Sequence, residues 1–444
     1  MTWTRRQFLA GSGAVALTTL APGRLVAAIE KHAPAPPRLD TWPDVRSQFD
    51  LAPDYLQFSS FFLVSHPRPV RAAIDSFRHA LDANPFLMVE RSMFESEVAN
   101  LQHRVQTEMA PYLGARPEEI ALTGNTTTSL ALVYHGLPLS HGDEILTTTH
   151  DHYVHHESIR FAAERSGATS RRIALYDAPA DATVSTIVER VRAAIRPNTR
   201  VLGITWVHSS SGVRLPIREI AAALETVNRG RDPQHRVLLI VDGVHGLGAV
   251  DEAVADLGCD FFCAGTHKWM FAPRGTGIIW ARADNWARLR PLIPTFSEME
   301  SFEAWMNDRP PAGPTVAARV TPGGFNAFEH QWAMGAAFDM HRRIGRARVA
   351  ERIRALNDQL KHGLAAMRKV KVHTPRDPAL SAGLVAFEVQ GVATDDVVKR
   401  LLERRVVASS SPYRVSFPRL SASLVNTPGE VDRALAAVRT VAGA

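Results

Sequence analysis

Apolar residues along this chain gather into short unbroken runs bounded by glycine, proline or charge, with stretches of helical period between them. The clearest unit is residues 236 to 282, RVLLIVDGVHGLGAVDEAVADLGCDFFCAGTHKWMFAPRGTGIIWAR. Val237 to Val241 shows no polar alternation, which predicts a strand buried on both faces and ending at Asp242. A short helical segment follows, then a second apolar strand, Asp260 to Ala264. Two strands joined in this way form a right-handed parallel crossover, and their C-terminal ends share the sheet edge where open α/β sheets bind ligands.

The rest of the chain repeats the strand-then-helix rhythm. Residues 51 to 91 predict an opening strand, a proline-bounded turn at SHPRPV and an amphipathic helix ending near DANPF. A helix is expected over 92–113. In GARPEEIALTGNTTTSLALVYHGL a glycine and a small polar run lead into another helix, a positive helix end with free amides suited to an anion. DEILTTTHDHYVHHESIRFAAERSG and RVLGITWVHSSSGVRLPIREIAAALE each read as a strand, a loop and a helix. Beyond Arg282 the parallel pattern ends. From about Arg343 a smaller unit begins: a helix over 343–368, the strand GLVAFEV, a helix over 394–404, a strand pair around RVVASSSPYRVSF and a last helix from Pro428. The fold class expected is α/β, a large domain (51–342) with a mostly parallel sheet and a smaller C-terminal α+β domain (343–444).

Composition changes this picture mainly at the ends. With 45% apolar and 22% charged residues the chain supports large cores, and its length suggests about two of them. Residues 1–28 carry Arg5 and Arg6, then Phe8 and Leu9, a mild apolar run broken by Pro22 and Arg24, and a small-residue site at Val26, Ala27 and Ala28. This looks like a twin-arginine export signal, too short and broken for a membrane span, and implies export of a folded protein to the periplasm. A proline-rich lead-in, 29–50, follows and is expected to be ordered only where it docks. Removing Arg5, Arg6 and Arg24 lowers the formal charge from +6 to +3, too little to argue for nucleic acid. Cys259 and Cys263 are expected on one face of the buried strand as packing residues.

The chemistry sits at the shared sheet edge. Asp242 leaves one strand there, and Thr266, His267 and Lys268 leave the other, so a carboxylate and an amine meet in one crevice. Pyridoxal phosphate needs this pair: a lysine to form the Schiff base and an acid to keep the ring nitrogen protonated. His152 and His156 are four apart on a helix face, a spacing compatible with metal, but no metal is assigned.

At VDGVHGLG and GTHKWMFAPRGTG the sequence resembles the class V aminotransferase family of pyridoxal phosphate enzymes (fold type I), and its isopenicillin N epimerase-like branch most. The resemblance extends through PRPVRAAI and ANPF to the closing PRLSASLVNTPGEVDRAL. It implies that Gly124, Asn125 and Thr126 form the phosphate loop and that the His152 ring, after Asp151, stacks on the cofactor, with Tyr153 as the fallback. It places Ser209, or a neighbour such as Ser210 or Ser211, where desulfurases use asparagine, and His245 where they use glutamine. Arg419 falls on the arginine that grips the substrate α-carboxylate. Three departures stand out. Ser59, Ser60, Phe61 and Phe62 replace an Asn-His-Gly-type loop; Phe325, with Thr321 and Asn326 nearby, falls on a phosphate-binding threonine supplied by the partner of a homodimer; and Arg404 stands where desulfurases carry their nucleophilic cysteine. Cysteine desulfuration is therefore rejected. The resemblance implies action at the Cα of an amino acid or amino-acid-containing small molecule, epimerase-like, with aminotransferase or C–S/β lyase as the alternative and a non-catalytic binding module as a third reading.

Overall fold

The computed structural model describes residues 37–94 and 100–443. The segment read as an export signal, 1–28, lies outside the described residues. Helix α1 (Trp42–Arg46) docks the end of the lead-in: the Arg348 and Arg352 guanidiniums lie over the Trp42 ring at 4.9 and 5.1 Å, and Arg46 pairs with Glu430 at 2.6 Å. Strand β1 (Leu56–Gln57) follows, then α2 (Arg68–Ala83) and α3 (Leu101–Leu113). The helix expected over 92–113 is thus shorter. Its start is set by Asn100, whose side chain accepts from the His103 amide at 3.0 Å.

A seven-stranded sheet forms the centre. Its strands are β2 (Ile120–Thr123), β3 (Glu144–Thr148), β4 (Thr169–Ile173), β5 (Thr199–Thr205), β6 (Leu238–Asp242), β7 (Phe261–Gly265) and β8 (Gly277–Trp280), in the order β2-β8-β7-β6-β5-β3-β4. β3 to β7 pair in parallel, and β8 runs against both of its neighbours. Helices α4 (Thr126–Gly136), α5 (Tyr153–Ser166), α6 (Val184–Ala194) and α7 (Ile217–Asn228) cover its faces. Alternate residues face opposite ways in a strand. Ile145, Val201, Ile240, Phe261 and Ile279 accordingly pack with Leu130, Val133 and Ile159 on one side. The residues one step along, Leu146, Leu202, Val241, Phe262 and Ile278, pack with Ile187, Val191, Ile220 and Leu224 on the other. Both faces are covered, which is why these strands read as unbroken apolar runs.

The predicted crossover is present as adjacent parallel strands, with Ile240 opposite Phe261 and Asp242 opposite Cys263. Its connection, however, contains only a 3₁₀ turn, Val254–Leu257. Glycines break the segment: Gly248 and Gly258 have φ of +88° and +77°, a region that disfavours other residues. A Cβ on Gly248 would come within 2.7 Å of the Trp269 backbone, so the close approach to the lysine loop requires glycine. The two cysteines are free and buried but not on one face. Cys263 packs on the first side of the sheet; Cys259 precedes the strand and packs with the other.

The C-terminal unit begins after α8 (Met334–Ile344). Gly345, at φ +95°, divides α8 from α9 (Arg346–Ala365), so the helix expected over 343–368 starts three residues late. Strands β9 (Val370–Val372) and β10 (Val385–Val389), helix α10 (Thr394–Glu403), strands β11 (Val406–Val407), β12 (Ser409–Ser410) and β13 (Pro418–Leu420), and helix α11 (Pro428–Val441) complete it. Four of these strands make an antiparallel sheet, β12-β13-β10-β9. The fifth, β11, pairs in parallel with β1, and Leu56 and Phe58 join Leu360, Leu364, Phe387 and Val438 in the C-terminal core.

Candidate active site

Strands β2, β3, β5, β6 and β7 end at one edge of the sheet, and the residue runs just past those ends wall a cavity of about 540 Å³. Asn125, Thr126 and Thr127 come after β2, His152 after β3 and Ser209 after β5; Asp242 ends β6, with Val244 and His245 after it, and His267 and Lys268 come after β7. The C-terminal unit closes the cavity with Ser409, Ser410, Pro412 and Arg419, and Phe61 and Phe62 add an aromatic wall.

Lys268 and His245 touch, Nζ to Nε2 at 3.1 Å. Burial lowers the Lys268 ammonium to about pKa 8, which nearby Asp242 opposes and Arg419 reinforces. Asp242 is 3% exposed, and burial raises its carboxyl to about 6 against the pull of the Val244 amide and of Lys268. Asp242 Oδ1 accepts from that amide at 3.1 Å; Oδ2 has no donor among the described residues.

His152 caps α5, its Nδ1 accepting from the Val154 amide at 3.4 Å, so the neutral ring carries its proton on Nε2. Burial, then Lys268 and Arg419, keep it neutral by lowering its pKa. Asp151 anchors this turn. Its carboxylate accepts from Thr147 Oγ1, from the amide and hydroxyl of Thr148 and from the Thr205 amide at 2.7 to 2.9 Å, fastening the end of β3 to that of β5. Burial alone would raise it, but these donors and the neighbouring His155 and His208 hold it below the usual carboxylate range.

At the start of α4, Asn125 Oδ1 accepts from the Thr128 amide at 2.9 Å. The amides of Thr126 and Thr127 have no acceptor among the described residues, a helix end open to an anion. Thr126 Oγ1 also accepts from the Gly265 amide at 2.7 Å, tying this loop to β7. Arg419, 4% exposed and stacked over Phe61 at 4.8 Å, donates to Ser209 O at 2.5 Å, Ser410 O at 2.9 Å and Ser409 Oγ at 3.2 Å. Among the described residues, two of its five N–H groups find no acceptor.

Of the residues expected from the sequence, Asn125, Thr126, His152, Ser209, Asp242, His245, His267, Lys268 and Arg419 line this one cavity. Gly124 and Thr266 do not. Thr266 turns inward, its hydroxyl 2.6 Å from that of Thr276. Tyr153 points away, 67% exposed, and His156 Nε2 engages Thr148 O at 2.7 Å, so His152 and His156 do not converge. Sequence reading missed Thr127, Ser409, Ser410 and Tyr413, whose hydroxyl lies 2.6 Å from that of Ser209. The tyrosine lies in a loop with no regular period, and only its closeness to Arg419 in the chain hinted at it.

These groups suit pyridoxal phosphate: an amine at the wall, a carboxylate with one oxygen that has no donor among the described residues for a protonated ring nitrogen, and a helix end for the phosphate. Comparison with known proteins agrees. The aminotransferase class-V profile matches residues 65–433. Isopenicillin N epimerase of Amycolatopsis lactamdurans is 28% identical over 404 residues, covering 90% of this chain and 98% of its own. A probable cysteine desulfurase of Xylella fastidiosa is 25% identical over 436 residues, covering 92% and 97%. Among solved structures, a C-DES mutant with glycine linked covalently to its pyridoxal phosphate superposes at TM-score 0.75, 22% identical, over 88% of this chain and 98% of that one. Apo cysteine desulfurase of Thermococcus onnurineus superposes at 0.76, 20% identical, over 92% and 99%. With a profile match over most of its length, the chain belongs to the aminotransferase class-V family.

Proposed function

We propose that this protein is a pyridoxal phosphate-dependent enzyme that acts at the Cα of an amino acid or amino-acid-containing small molecule and, like an epimerase, removes and returns the Cα proton. The observation that carries this reading is one cavity walled by Lys268, Asp242 and Arg419 and by no thiol. Both cysteines are buried, Cys263 in β7 and Cys259 just before it, and exposed Arg404 stands at the position of the desulfurase nucleophile, which separates this chain from its desulfurase relatives.

Bound pyridoxal phosphate supplies an electron sink for a carbanion at Cα. The chain's part is then positional and acid–base. Asp242 holds the ring nitrogen protonated, while the Thr126 and Thr127 amides, with His267, take the phosphate. The uncommitted N–H groups of Arg419 receive the α-carboxylate as a bidentate pair. Lys268 Nζ is close enough to neutrality to take the Cα proton near physiological pH. Epimerisation also needs an acid on the opposite side. His245 is bonded to Lys268 and Tyr153 lies outside the cavity, which leaves His152 Nε2; the Tyr413 ring packs near the His152 ring, 6.0 Å between centroids.

Incubation with enantiomerically pure amino acids in deuterium oxide tests this. The expected result is deuterium at Cα in both enantiomers without keto acid. Stoichiometric keto acid would replace the reading with an aminotransferase, and pyruvate with ammonia would replace it with a β-lyase. A purely binding role has no use for both Asp242 and Lys268. A homodimer belongs to the proposal, supported by the exposed aromatic pair Phe296 and Phe325, with Phe325 80% exposed and resting edge-on against buried Phe328. So does export to the periplasm, supported by Arg5, Arg6 and the residues after them.

A further inference from the structure

Trp269, next to the lysine, takes no part in the chemistry above, yet its indole is 1% exposed and its N–H reaches an acceptor in the site: His245 Nδ1, at 3.4 Å. No other acceptor for that N–H occurs among the described residues. The ring cannot swing away. A Cβ on Gly383 would come within 2.5 Å of its outer edge, and Gly248 lies flush against the backbone of Trp269 and Met270. Phe61 sits beside His245 at 5.9 Å between centroids. His245 is therefore gripped between an indole N–H at one nitrogen and the Lys268 amine, 3.1 Å away, at the other.

Matching donors to acceptors selects one tautomer. Indole N–H only donates, so Nδ1 must offer its lone pair, and a neutral imidazole then carries its hydrogen on Nε2. That hydrogen points at Lys268 Nζ, which must in turn offer a lone pair. An ammonium at Nζ would face another donor. The opposite tautomer would welcome an ammonium at Nε2 but would set Nδ1–H against the indole N–H. A doubly protonated ring would meet both donors.

We infer that Trp269 is a positioning residue: its indole N–H fixes His245 with the proton on Nε2, and His245 in turn favours the neutral amine of Lys268 over its ammonium. The other groups facing this pair are Asp242 from β6, Arg419 from β13, His152 from the cap of α5 and His267 from the lysine loop itself. Asp242 favours the ammonium and Arg419 opposes it; His152 and His267 bear on His245 and, like it, are kept neutral by burial. None of them chooses between the two tautomers of His245, and Trp269 does. The consequence for catalysis rests on Lys268 being the reactive amine, but the tautomer itself does not.

The test reads the amine, not turnover. Full-length protein is stripped of any carbonyl cofactor with hydroxylamine. Lys268 is then labelled competitively with acetic anhydride across a pH series, and its peptide is quantified by mass spectrometry. The wild-type midpoint is expected at about 8. Two variants are compared: Trp269→Phe, and residue 269 replaced by the benzothiophene isostere of tryptophan, which keeps the two-ring shape and has no N–H. Both are expected to raise the midpoint by about one unit, which makes labelling below it about tenfold slower. A midpoint in the isostere that is unshifted or lowered overturns the inference whatever Trp269→Phe does, because any shift in phenylalanine alone would come from repacking. Turnover near neutral pH that is unchanged despite the midpoint shift would leave the inference standing and count against Lys268 as the base of the proposed reaction.

Discussion

Replacing Asp242 by asparagine changes a charge while keeping the shape, and the structure gives opposite expectations for the protein with and without its cofactor. Burial raises the Asp242 carboxyl from 3.8 to about 6. The folded protein then binds that proton more tightly than the unfolded chain, so the group's favourable contribution is complete below the ordinary value and is lost as pH rises through about 6. Two pH units correspond to about 3 kcal/mol. Lys268 offsets part of this while it is charged, which it ceases to be above about 8. In the cofactor-free protein above that pH, Asp242→Asn should therefore stabilise by up to about 3 kcal/mol, a rise of roughly 3 °C in the thermal midpoint for a chain of this size. The gain should fade as the pH falls towards that of an ordinary carboxylic acid. With cofactor the sign reverses: the variant loses the anion opposite the ring nitrogen, and turnover should fall by two to three orders of magnitude, as about that much follows the removal of a major electrostatic stabiliser. Thermal melts across pH, with and without pyridoxal phosphate, measure the stability change, and turnover assays on the cofactor-loaded variant measure the loss of rate. If the cofactor-free variant gains nothing in base, or gains equally in acid, Asp242 is not the desolvated carboxylate described here; near-normal turnover would refute its role with the cofactor.

Lys268→Ala should abolish covalent attachment of pyridoxal phosphate, and borohydride reduction of the wild type should fix the label on the peptide carrying Lys268; label elsewhere would reassign the lysine. Arg419→Ala should raise KM by about 10- to 100-fold, the worth of roughly 1.5 to 3 kcal/mol from charge-assisted hydrogen bonds, with a smaller change in kcat. A KM within twofold of wild type would remove the carboxylate role. Phe325→Asp, at an 80% exposed position, should shift the sedimentation profile from dimer to monomer while leaving the secondary structure unchanged; an unaltered profile places the interface elsewhere. Changing Arg5 and Arg6 together to lysine should leave active protein in the cytoplasm, and unchanged periplasmic activity would show that the signal was misread.

The parts of the site that follow strand ends were legible because they depend on local rules. Val237 to Asp242 and Phe261 to Lys268 declare themselves as apolar runs followed by polar residues, and a parallel pair brings such ends together. The connection between them was not legible as irregular, because 243–258 has helical composition while Gly248 and Gly258 take positive φ, Gly248 under the demands of the neighbouring lysine loop. Gly345 broke an expected helix in the same way. Thr266 and Tyr153 were misplaced by one step of side-chain direction, which spacing does not fix. Tyr413 reaches Ser209 across 204 positions, and no local period records such a contact. Likewise, β1 looked like the opening of the large domain, although its partner is β11.

The β1–β11 pairing also constrains how the chain is made. Leu56 meets Val406, 350 positions further along the chain, only after everything between them has been synthesised. Closing a loop of that length costs about 5 kcal/mol in chain entropy before any contact offsets it. Until then Leu56 and Phe58 have no core to enter, since Phe387, Val406 and Val438 all lie far downstream. The parallel sheet can assemble while the ribosome is still at work, but the C-terminal unit must wait for both ends. A nascent chain cut short before residue 406 keeps its first strand unpaired and apolar, a sticky edge that marks it for aggregation or proteolysis.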